Sequence, residues 1–446
     1  MMAIPERPGG ETAPVGSVRA VPSMRISSRH RFLFVLWEGG GNVPLQLALA
    51  KGLADRGHDV RVLTEDCLAA DVAAAGCRFE PFVAAPNRAS RTEDLVRDSE
   101  ARTPLGAFAW ARDRVVMGPA AAYARDTRAA LEREAVDVLA SDYMLFGPPI
   151  ASERAGVPTA LLVHNIYLVP EPGKPAPGPG FLPARGLLGR ARDRAVGRVF
   201  VALFNRGLPP VNRARSEQGL PPLRSVLEHF DRVQRVLVLT SESFDFHGDS
   251  HPEHLRYVGS TLADPPWVDD WRSPWGAEDD RPLVIVSFSS TYMAQERLLA
   301  RTIDGLSRVD ARILVTTGPS IDPASFHAAD NTTVLRSAPH AQLFAEAAVV
   351  VTHAGMGTVT RALAAGVPLV CIPMGRDQLD VAARVVHRGA GVRLRPGAKP
   401  DAIRAAVERV MGEPGFREAA ARLGASITAD AAAQRGLAEL EALAAS

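Results

Sequence analysis

Short apolar runs alternate with segments of helical periodicity along most of the chain from Arg31 onward. The first run, Phe32 to Trp37, is followed by a glycine-rich turn and then by a helical pattern that begins at Pro44. Further apolar runs predict buried strands at residues 60–63, 136–140, 158–163, 236–239, 283–288, 349–351 and 368–372. Helical patterns cover residues 105–134, 145–155 and 413–444. Strands that alternate with helices predict parallel sheets covered on both faces, so the fold class is α/β.

The chain of 446 residues is too long for one hydrophobic core, and two domains of about 200 residues are expected. Residues 1–30 are rich in Pro, Gly, Ser and Arg without the apolar stretch of a signal peptide, which predicts a disordered tail. A segment dense in Pro, Trp and Asp at residues 259–281 predicts a linker. The expected domains are therefore residues 31–258 and residues 282–446, the second with terminal helices.

Composition excludes several classes of protein. The net charge of +1 gives no reason to expect nucleic acid or an anionic membrane as a partner. No apolar run reaches the ~18 residues of a membrane span. Three cysteines provide neither a disulfide framework nor a metal site, and we expect a cytoplasmic protein.

Residues 169–183, V-P-E-P-G-K-P-A-P-G-P-G-F-L-P, form a proline-rich loop that cannot be a helix or a central strand. A loop of this length is either functional or disordered. We interpret it as a lid or an acceptor-facing loop, with a plain surface excursion as the alternative.

The most informative stretch runs from Val349 to Asp380. An apolar strand leads into the turn His353-Ala-Gly-Met-Gly-Thr358 and a helix start, which together favour an anion site because free N–H groups and the helix dipole point at the turn. Asp377 and Gln378 follow the next strand, where α/β sheets bind ligands. The pattern suggests a diphosphate held at one end and a polyhydroxylated group at the other. Taken singly, a buried histidine, turn glycines and a helix-capping aspartate would explain the same residues.

This ordered series, together with Gly366-Val-Pro368, resembles the family-one glycosyltransferases of the GT-B fold, of the macrolide and natural-product type. The resemblance implies two Rossmann-like domains facing each other across a cleft, the first for an acceptor and the second for a nucleoside-diphosphate sugar. It implies a reaction without a metal ion or other cofactor, and the sequence lacks a central Asp-x-Asp motif.

The resemblance also implies roles for single residues. The diphosphate would contact His353, Gly355, Gly357, Thr358, Ser289 and Ser290. The base and ribose would lie near Ala338, Ser337 and Arg361, and the sugar near Asp377 and Gln378. The acceptor would lie near Gly41, Asn42, Tyr143 and His164.

The chain departs from the family at the general base. The family usually places a histidine three residues before the proline of the first helix, and this chain has Gly41 there. The usual aspartate partner is matched by Asp142. Inverting transfer to a hydroxyl needs a base, so we interpret Asp142 as that base, with Glu38 second and His164 third. The alternative for Asp142 is a helix cap.

A second departure concerns the nucleotide. Many relatives carry a ribose-binding glutamate where this chain has Arg361, and a base-stacking tryptophan where it has Ser337. The loss of the ribose glutamate weakens the case for a UDP sugar and is compatible with a dTDP-deoxysugar that lacks the 2′-hydroxyl, and the alternative is that Arg361 reaches a phosphate. The sequence thus predicts an inverting glycosyltransferase, monomeric or homodimeric, acting on a small aromatic or polyketide-like acceptor. The alternatives are an epimerase or hydrolase of nucleotide sugars, and a non-catalytic nucleotide-sugar-binding protein.

Overall fold

The computed structural model describes residues 29–91, 93, 95, 103–249, 251–263, 273–276, 278–289, 293–318 and 320–446. The predicted tail lies outside these residues except for its last two positions, and much of the predicted linker also lies outside them. The boundaries of the two domains therefore stay predictions.

The first half of the chain forms a parallel sheet of seven strands in the order β3-β2-β1-β4-β5-β6-β7. The strands are β1 (Arg31–Val35), β2 (Asp59–Thr64), β3 (Arg78–Pro81), β4 (Val138–Asp142), β5 (Thr159–Val163), β6 (Arg235–Val238) and β7 (Leu255–Tyr257). The helices are α1 (Asn42–Asp55), α2 (Ala69–Ala74), α3 (Pro104–Ala111), α4 (Ala120–Arg133), α5 (Gly147–Ala155), α6 (Leu187–Asn205), α7 (Leu208–Glu217) and α8 (Glu228–Asp231).

The second half forms a parallel sheet of six strands in the order β10-β9-β8-β11-β12-β13. The strands are β8 (Leu283–Ser287), β9 (Arg312–Thr316), β10 (Thr332–Leu335), β11 (Ala347–Thr352), β12 (Leu369–Cys371) and β13 (Gly391–Arg393). The helices are α9 (Glu296–Leu306), α10 (His340–Glu346), α11 (Met356–Ala364), α12 (Gln378–His387), α13 (Pro400–Gly412), α14 (Pro414–Ala432) and α15 (Arg435–Ala444).

Both sheets reverse their strand order at one point, between β1 and β4 in the first and between β8 and β11 in the second. In open α/β sheets, ligands bind in the crevice at the carboxyl ends of the strands that flank such a reversal. The glycine turn after β1 and the His353 turn after β11 both lie at these points. The α/β prediction with two Rossmann-like domains is confirmed.

Two predicted helices are interrupted. The 105–134 segment divides into α3, a π-helical turn at Arg112–Val116, and α4. Just after the π-helical turn, an added Cβ at Gly118 would lie 1.7 Å from the carbonyl oxygen of Asp113, so this conformation requires glycine there. The 413–444 segment divides into α14 and α15 at Gln434, which adopts a left-handed conformation with φ of 49°.

Helix α15 packs on the first sheet although it ends the chain. Its Leu437, Leu440 and Leu443 are buried in the same cluster as Phe32 and Phe34 of β1. Arg56 of the first half donates to the Glu441 carboxylate at 2.7 Å. The chain thus returns from the second sheet to the first at its end.

The proline-rich loop is not a plain surface excursion. Its residues 174–177 are buried, and the N–H groups of Gly178 and Gly180 donate to the Asp380 carboxylate of α12 at 2.6 and 3.1 Å. The loop therefore joins the two halves. No helix in the described part of the chain is long and apolar enough to cross a membrane.

Candidate active site

The end of β4 and the end of β5 bring Asp142 and His164 together. His164 Nδ1 lies 3.1 Å from the Asp142 carboxylate, because Asp142 ends β4 and His164 directly follows the adjacent parallel strand β5. Gln46 of α1 donates to the same carboxylate oxygen at 2.6 Å, and Asn42 donates to it at 3.1 Å. The N–H of Met144 donates to the other oxygen at 2.9 Å. Both carboxylate oxygens of Asp142 therefore interact with groups inside the protein.

The surroundings of Asp142 keep it ionised. Burial alone would raise the pKa of this carboxyl group, but His164 and the donors from Met144 and Gln46 bring the pKa below its ordinary value. The residue is 0% exposed. A fully buried carboxylate with four donors around it cannot meet an acceptor hydroxyl, whereas the His164 side chain is 15% exposed. The geometry favours His164, the third of the sequence candidates, as the group that meets the acceptor.

Glu38 lies in the loop after β1, where the strand order of the first sheet reverses, and its carboxylate contacts nearby loop residues. It accepts from the Gly40 N–H at 2.6 Å and pairs with Arg91 at 3.0 Å. Burial raises the pKa of Glu38, and Arg91 and the Gly40 N–H oppose that rise. Both oxygens are thus engaged within the described loops, which weakens the case for Glu38 as the base.

Gly41 and Asn42 begin α1 in different surroundings. An added Cβ at Gly41 would meet nothing within 4 Å, so a larger side chain would fit there. Asn42 is buried and donates to the Trp37 carbonyl at 2.9 Å as well as to Asp142. Asn42 therefore helps to hold Asp142 in place, and its predicted contact with the acceptor stays a prediction. Tyr143 does face the site, because its ring lies 5.3 Å from that of His164.

In the second half, the turn between β11 and α11 has the form of an anion site. His353 is buried, and burial, with a further contribution from Arg376, lowers its pKa to about 4, so the imidazole is neutral near pH 7. Ala354 adopts a left-handed conformation with φ of 68°. An added Cβ at Gly355 would lie 2.5 Å from His353 Nε2, so only glycine fits beside this imidazole.

Helix α11 begins at this turn without a side-chain cap. Its first N–H groups are therefore available to an anion, as helix starts in dinucleotide-binding folds are. Thr358 lies in the first turn and is buried. Gly357 has a different setting from Gly355, since an added Cβ would meet only Arg361, at 3.6 Å. Ser289 follows β8 and is buried, whereas Ser290 lies outside the described residues.

The predicted base and ribose residues lie beside this turn. Ala338 is buried, and Ser337 before it is exposed. Arg361 of α11 donates to the carbonyl of Ala263 at 3.4 Å. Its charge also acts on His340, whose pKa is lowered to about 3 by burial first and by Arg361 second.

Asp377 and Gln378 stand at the start of α12. Asp377 occupies the N-cap position but makes no capping hydrogen bond with its side chain. Asn165, the residue after His164, donates to the Asp377 carboxylate at 3.4 Å and to the Tyr143 hydroxyl at 3.1 Å. Asn165 therefore links Asp377 in the second half to Tyr143, whose ring lies beside that of His164 in the first half. Gln378 accepts from the N–H groups of Met374 and Gly375 at 2.7 and 3.1 Å.

Sequence reasoning missed two residues of this site. Gln46 lies four positions after Asn42, so both side chains project from one face of α1 toward Asp142. That spacing was a usable signal. Asn165 carried no signal in the sequence, because its partner Asp377 is 212 positions away.

Two Rossmann-like parallel sheets, each with polar residues at the carboxyl ends of the strands that flank its reversal, are the arrangement expected of the GT-B fold. Residues 300–443 match the family model described as the erythromycin biosynthesis protein CIII-like C-terminal domain. The chain is 33% identical over 402 residues to 4'-demethylrebeccamycin synthase of Lentzea aerocolonigenes, covering 88% of this chain and 94% of that protein. The chain therefore belongs to the family-one, natural-product glycosyltransferases, and it is a glycosyltransferase.

Two solved structures show that the fold is shared. The structure of the kitacinnamycin glycosyltransferase superposes with a TM-score of 0.73 at 22% identity, covering 93% of this chain and 99% of that one. The structure of the glycosyltransferase VinC in complex with dTDP superposes with a TM-score of 0.65 at 19% identity, covering 93% of this chain and 99% of that one.

Proposed function

We propose that this protein transfers a sugar from a dTDP- or UDP-sugar to a small aromatic or polyketide-like acceptor, with inversion at the anomeric carbon and without a metal ion in the reaction. The observation that carries this proposal is the position of Asn165. It joins the residue predicted to hold the sugar, Asp377, to the strand end that bears His164. Donor sugar and acceptor hydroxyl would meet there.

His164 would act as the general base. Its Nδ1 faces the Asp142 carboxylate at 3.1 Å, which favours the tautomer with a proton on Nδ1 and leaves Nε2 to accept a proton. The acceptor hydroxyl would lose its proton to Nε2 while its oxygen forms the bond to the anomeric carbon. Asp142 would stabilise the imidazolium that results, as the carboxylate of a histidine–aspartate pair does in hydrolases.

The bond from the anomeric carbon to the diphosphate oxygen would break at the same time, and negative charge would develop on the diphosphate. The uncapped start of α11 and the donors near His353 are placed to stabilise that charge. Because the His353 imidazole is neutral near pH 7, it would help as a hydrogen-bond donor, and the N–H groups and dipole of the helix would act beside it.

Arg361 favours dTDP over UDP as the nucleotide. A carboxylate at this position would accept from both ribose hydroxyls, and a guanidinium has no acceptor. A deoxyribose has one hydroxyl fewer to satisfy. The similarity to 4'-demethylrebeccamycin synthase supports a natural-product acceptor for this chain.

The proposal is tested by incubating the protein with dTDP-glucose or UDP-glucose and a panel of phenolic acceptors, with and without EDTA. We expect transfer in both conditions, with a β-linked product from the α-linked donor, read from the anomeric proton coupling. A product that retains the α configuration, or transfer abolished by EDTA and restored by Mg²⁺ or Mn²⁺, would contradict the mechanism. Release of nucleotide without an acceptor product would favour a hydrolase.

A further inference from the structure

The loop between β6 and β7 carries a cluster that the transfer reaction does not use. Glu242, His247 and His251 each offer one ligand atom, and these atoms all lie within 4.8 Å of one another. Glu242 and His247 are exposed and His251 is half-buried, so the cluster is open to ions in solution.

The two imidazoles already have the spacing of metal ligands. His247 Nδ1 and His251 Nε2 face each other at 3.2 Å. Two nitrogens bound to one tetrahedral zinc ion at about 2.0–2.1 Å lie roughly 3.3 Å apart. Without a metal, the same contact is an N–H···N hydrogen bond, and the two arrangements are separated by experiment below.

A buried carboxylate stands behind one of these imidazoles. Glu171 Oε2, in the proline-rich loop, lies 3.7 Å from His251 Nδ1, the nitrogen that faces away from His247. Neither Glu171 oxygen has a hydrogen-bond partner among the described residues, and His251 Nδ1 also has none. The Lys174 ammonium lies 4.0 Å from the same Glu171 oxygen as an ion-pair partner. Metal-bound imidazoles commonly direct their second nitrogen to such a carboxylate, which fixes the ring and makes the ligand more basic.

We propose that Glu242, His247 and His251 bind a divalent transition-metal ion, with Zn²⁺ as the best fit, and that Glu171 supports His251 from behind. Two imidazoles and one carboxylate are a ligand set that suits Zn²⁺, with water in the fourth position. Mg²⁺ and Ca²⁺ prefer sites made of oxygen alone.

The position of the cluster gives the ion a structural role. In the same loop, the Asp245 carboxylate accepts from Arg384 of α12 at 2.6 Å. The backbone N–H of Asp249, also in this loop, donates to the Pro172 carbonyl at 2.7 Å. A metal ion would therefore fasten the β6–β7 loop where it touches both the proline-rich loop and the second half of the chain.

The test uses the full chain without a polyhistidine tag, stripped with a chelator and dialysed. Titration with Zn²⁺ is expected to show one site per chain and to raise the Tm, and Co²⁺ is expected to give the visible absorption of a four-coordinate ion. His247→Ala and His251→Ala should abolish binding, and Glu171→Gln should weaken it by about 10–100-fold. The matched control is His327→Ala, an exposed histidine elsewhere, which should bind as the unaltered chain does.

The proposal is overturned if Zn²⁺ fails to bind stoichiometrically at micromolar concentration, since the imidazoles would then share only a hydrogen bond. It is also overturned if the His247→Ala and His251→Ala variants keep the site. Should these variants not fold, Glu242→Gln and the Co²⁺ spectrum of the unaltered chain decide the question. A loss of affinity with a changed spectrum supports the site, and an octahedral spectrum unaffected by Glu242→Gln overturns it.

Discussion

At the scale of single residues, the two glycines of the turn between β11 and α11 differ in the space around them. An added Cβ at Gly355 would lie 2.5 Å from His353 Nε2, whereas one at Gly357 would meet only a flexible guanidinium at 3.6 Å. Gly355 is thus required by the protein itself. Gly357 is not, and close approach of a ligand is the remaining physical reason for a glycine there.

We predict that Gly355→Ala lowers the free energy of unfolding by about 1–3 kcal/mol, because the methyl group would displace a buried imidazole. Gly357→Ala should leave the Tm nearly unchanged but raise the KM for the nucleotide sugar. Urea unfolding and steady-state kinetics on the pair separate the two effects. Equal loss of stability in both variants, or an unchanged donor KM in Gly357→Ala, would contradict the placement of the diphosphate.

Of the residues in the candidate site, those in one continuous turn could be predicted from the sequence, and the surroundings of Asp142 could not. The sequence favours a diphosphate site at His353 to Thr358 because the turn and its helix are contiguous in the chain, and this role stays a prediction. The base was assigned to Asp142, yet the structure surrounds Asp142 with donors that are 96 and 100 positions away. No local pattern reports how many donors meet one carboxylate, so its burial could not be anticipated.

At the scale of elements, the proline-rich loop is bound to the start of α12. Gly178 and Gly180 donate to both oxygens of Asp380, and Arg393 donates to the Gly180 carbonyl at 2.9 Å. Burial raises the pKa of Asp380 from 3.8 to about 6, and the two N–H donors only partly oppose it. The loop is therefore fastened beside Asp377 and Gln378 through a carboxyl group that titrates near pH 6.

This pKa predicts a pH-dependent contribution to stability. The raised pKa means that the folded state favours protonated Asp380, so its stabilising contribution is full below about pH 4 and is lost as the pH rises through 6. Relative to Asp380→Asn, which stays neutral, the free energy of unfolding of the unaltered chain should fall by roughly 2–3 kcal/mol from pH 4 to pH 7. Urea unfolding at several pH values measures it. A difference that is constant with pH, or rises, would contradict the assignment.

At the scale of the whole molecule, the chain ends on the half where it began. Leu440 of α15 is fully buried against the first sheet. We predict that Leu440→Ala costs about 2–5 kcal/mol of unfolding free energy, because it removes a large side chain from a packed core. Leu188→Ala is the control, since that leucine is 89% exposed. If the two variants unfold at the same urea concentration, α15 does not contribute to the core as described.

The two-domain α/β architecture could be predicted because alternating strand and helix patterns are local and the chain is long. The return of α15 could not, because an Ala-rich helix carries no mark of the sheet it covers. The contacts between halves were equally hidden, since Asp245 and Arg384 are 139 positions apart. Strand ends locate the candidate site, while the long-range polar pairs around Asp142 are visible only in the structure.

For the whole molecule, we propose that His164, oriented by Asp142, accepts the proton of the acceptor opposite the proposed donor site. The most direct measurement is kcat for His164→Gln, Asp142→Asn and Glu38→Gln with saturating donor and acceptor. We predict that His164→Gln lowers kcat by about 10²–10⁴-fold with an unchanged donor KM, that Asp142→Asn also lowers kcat, and that Glu38→Gln has the smallest effect. An unchanged kcat in His164→Gln, beside a large loss in Glu38→Gln, would contradict this account.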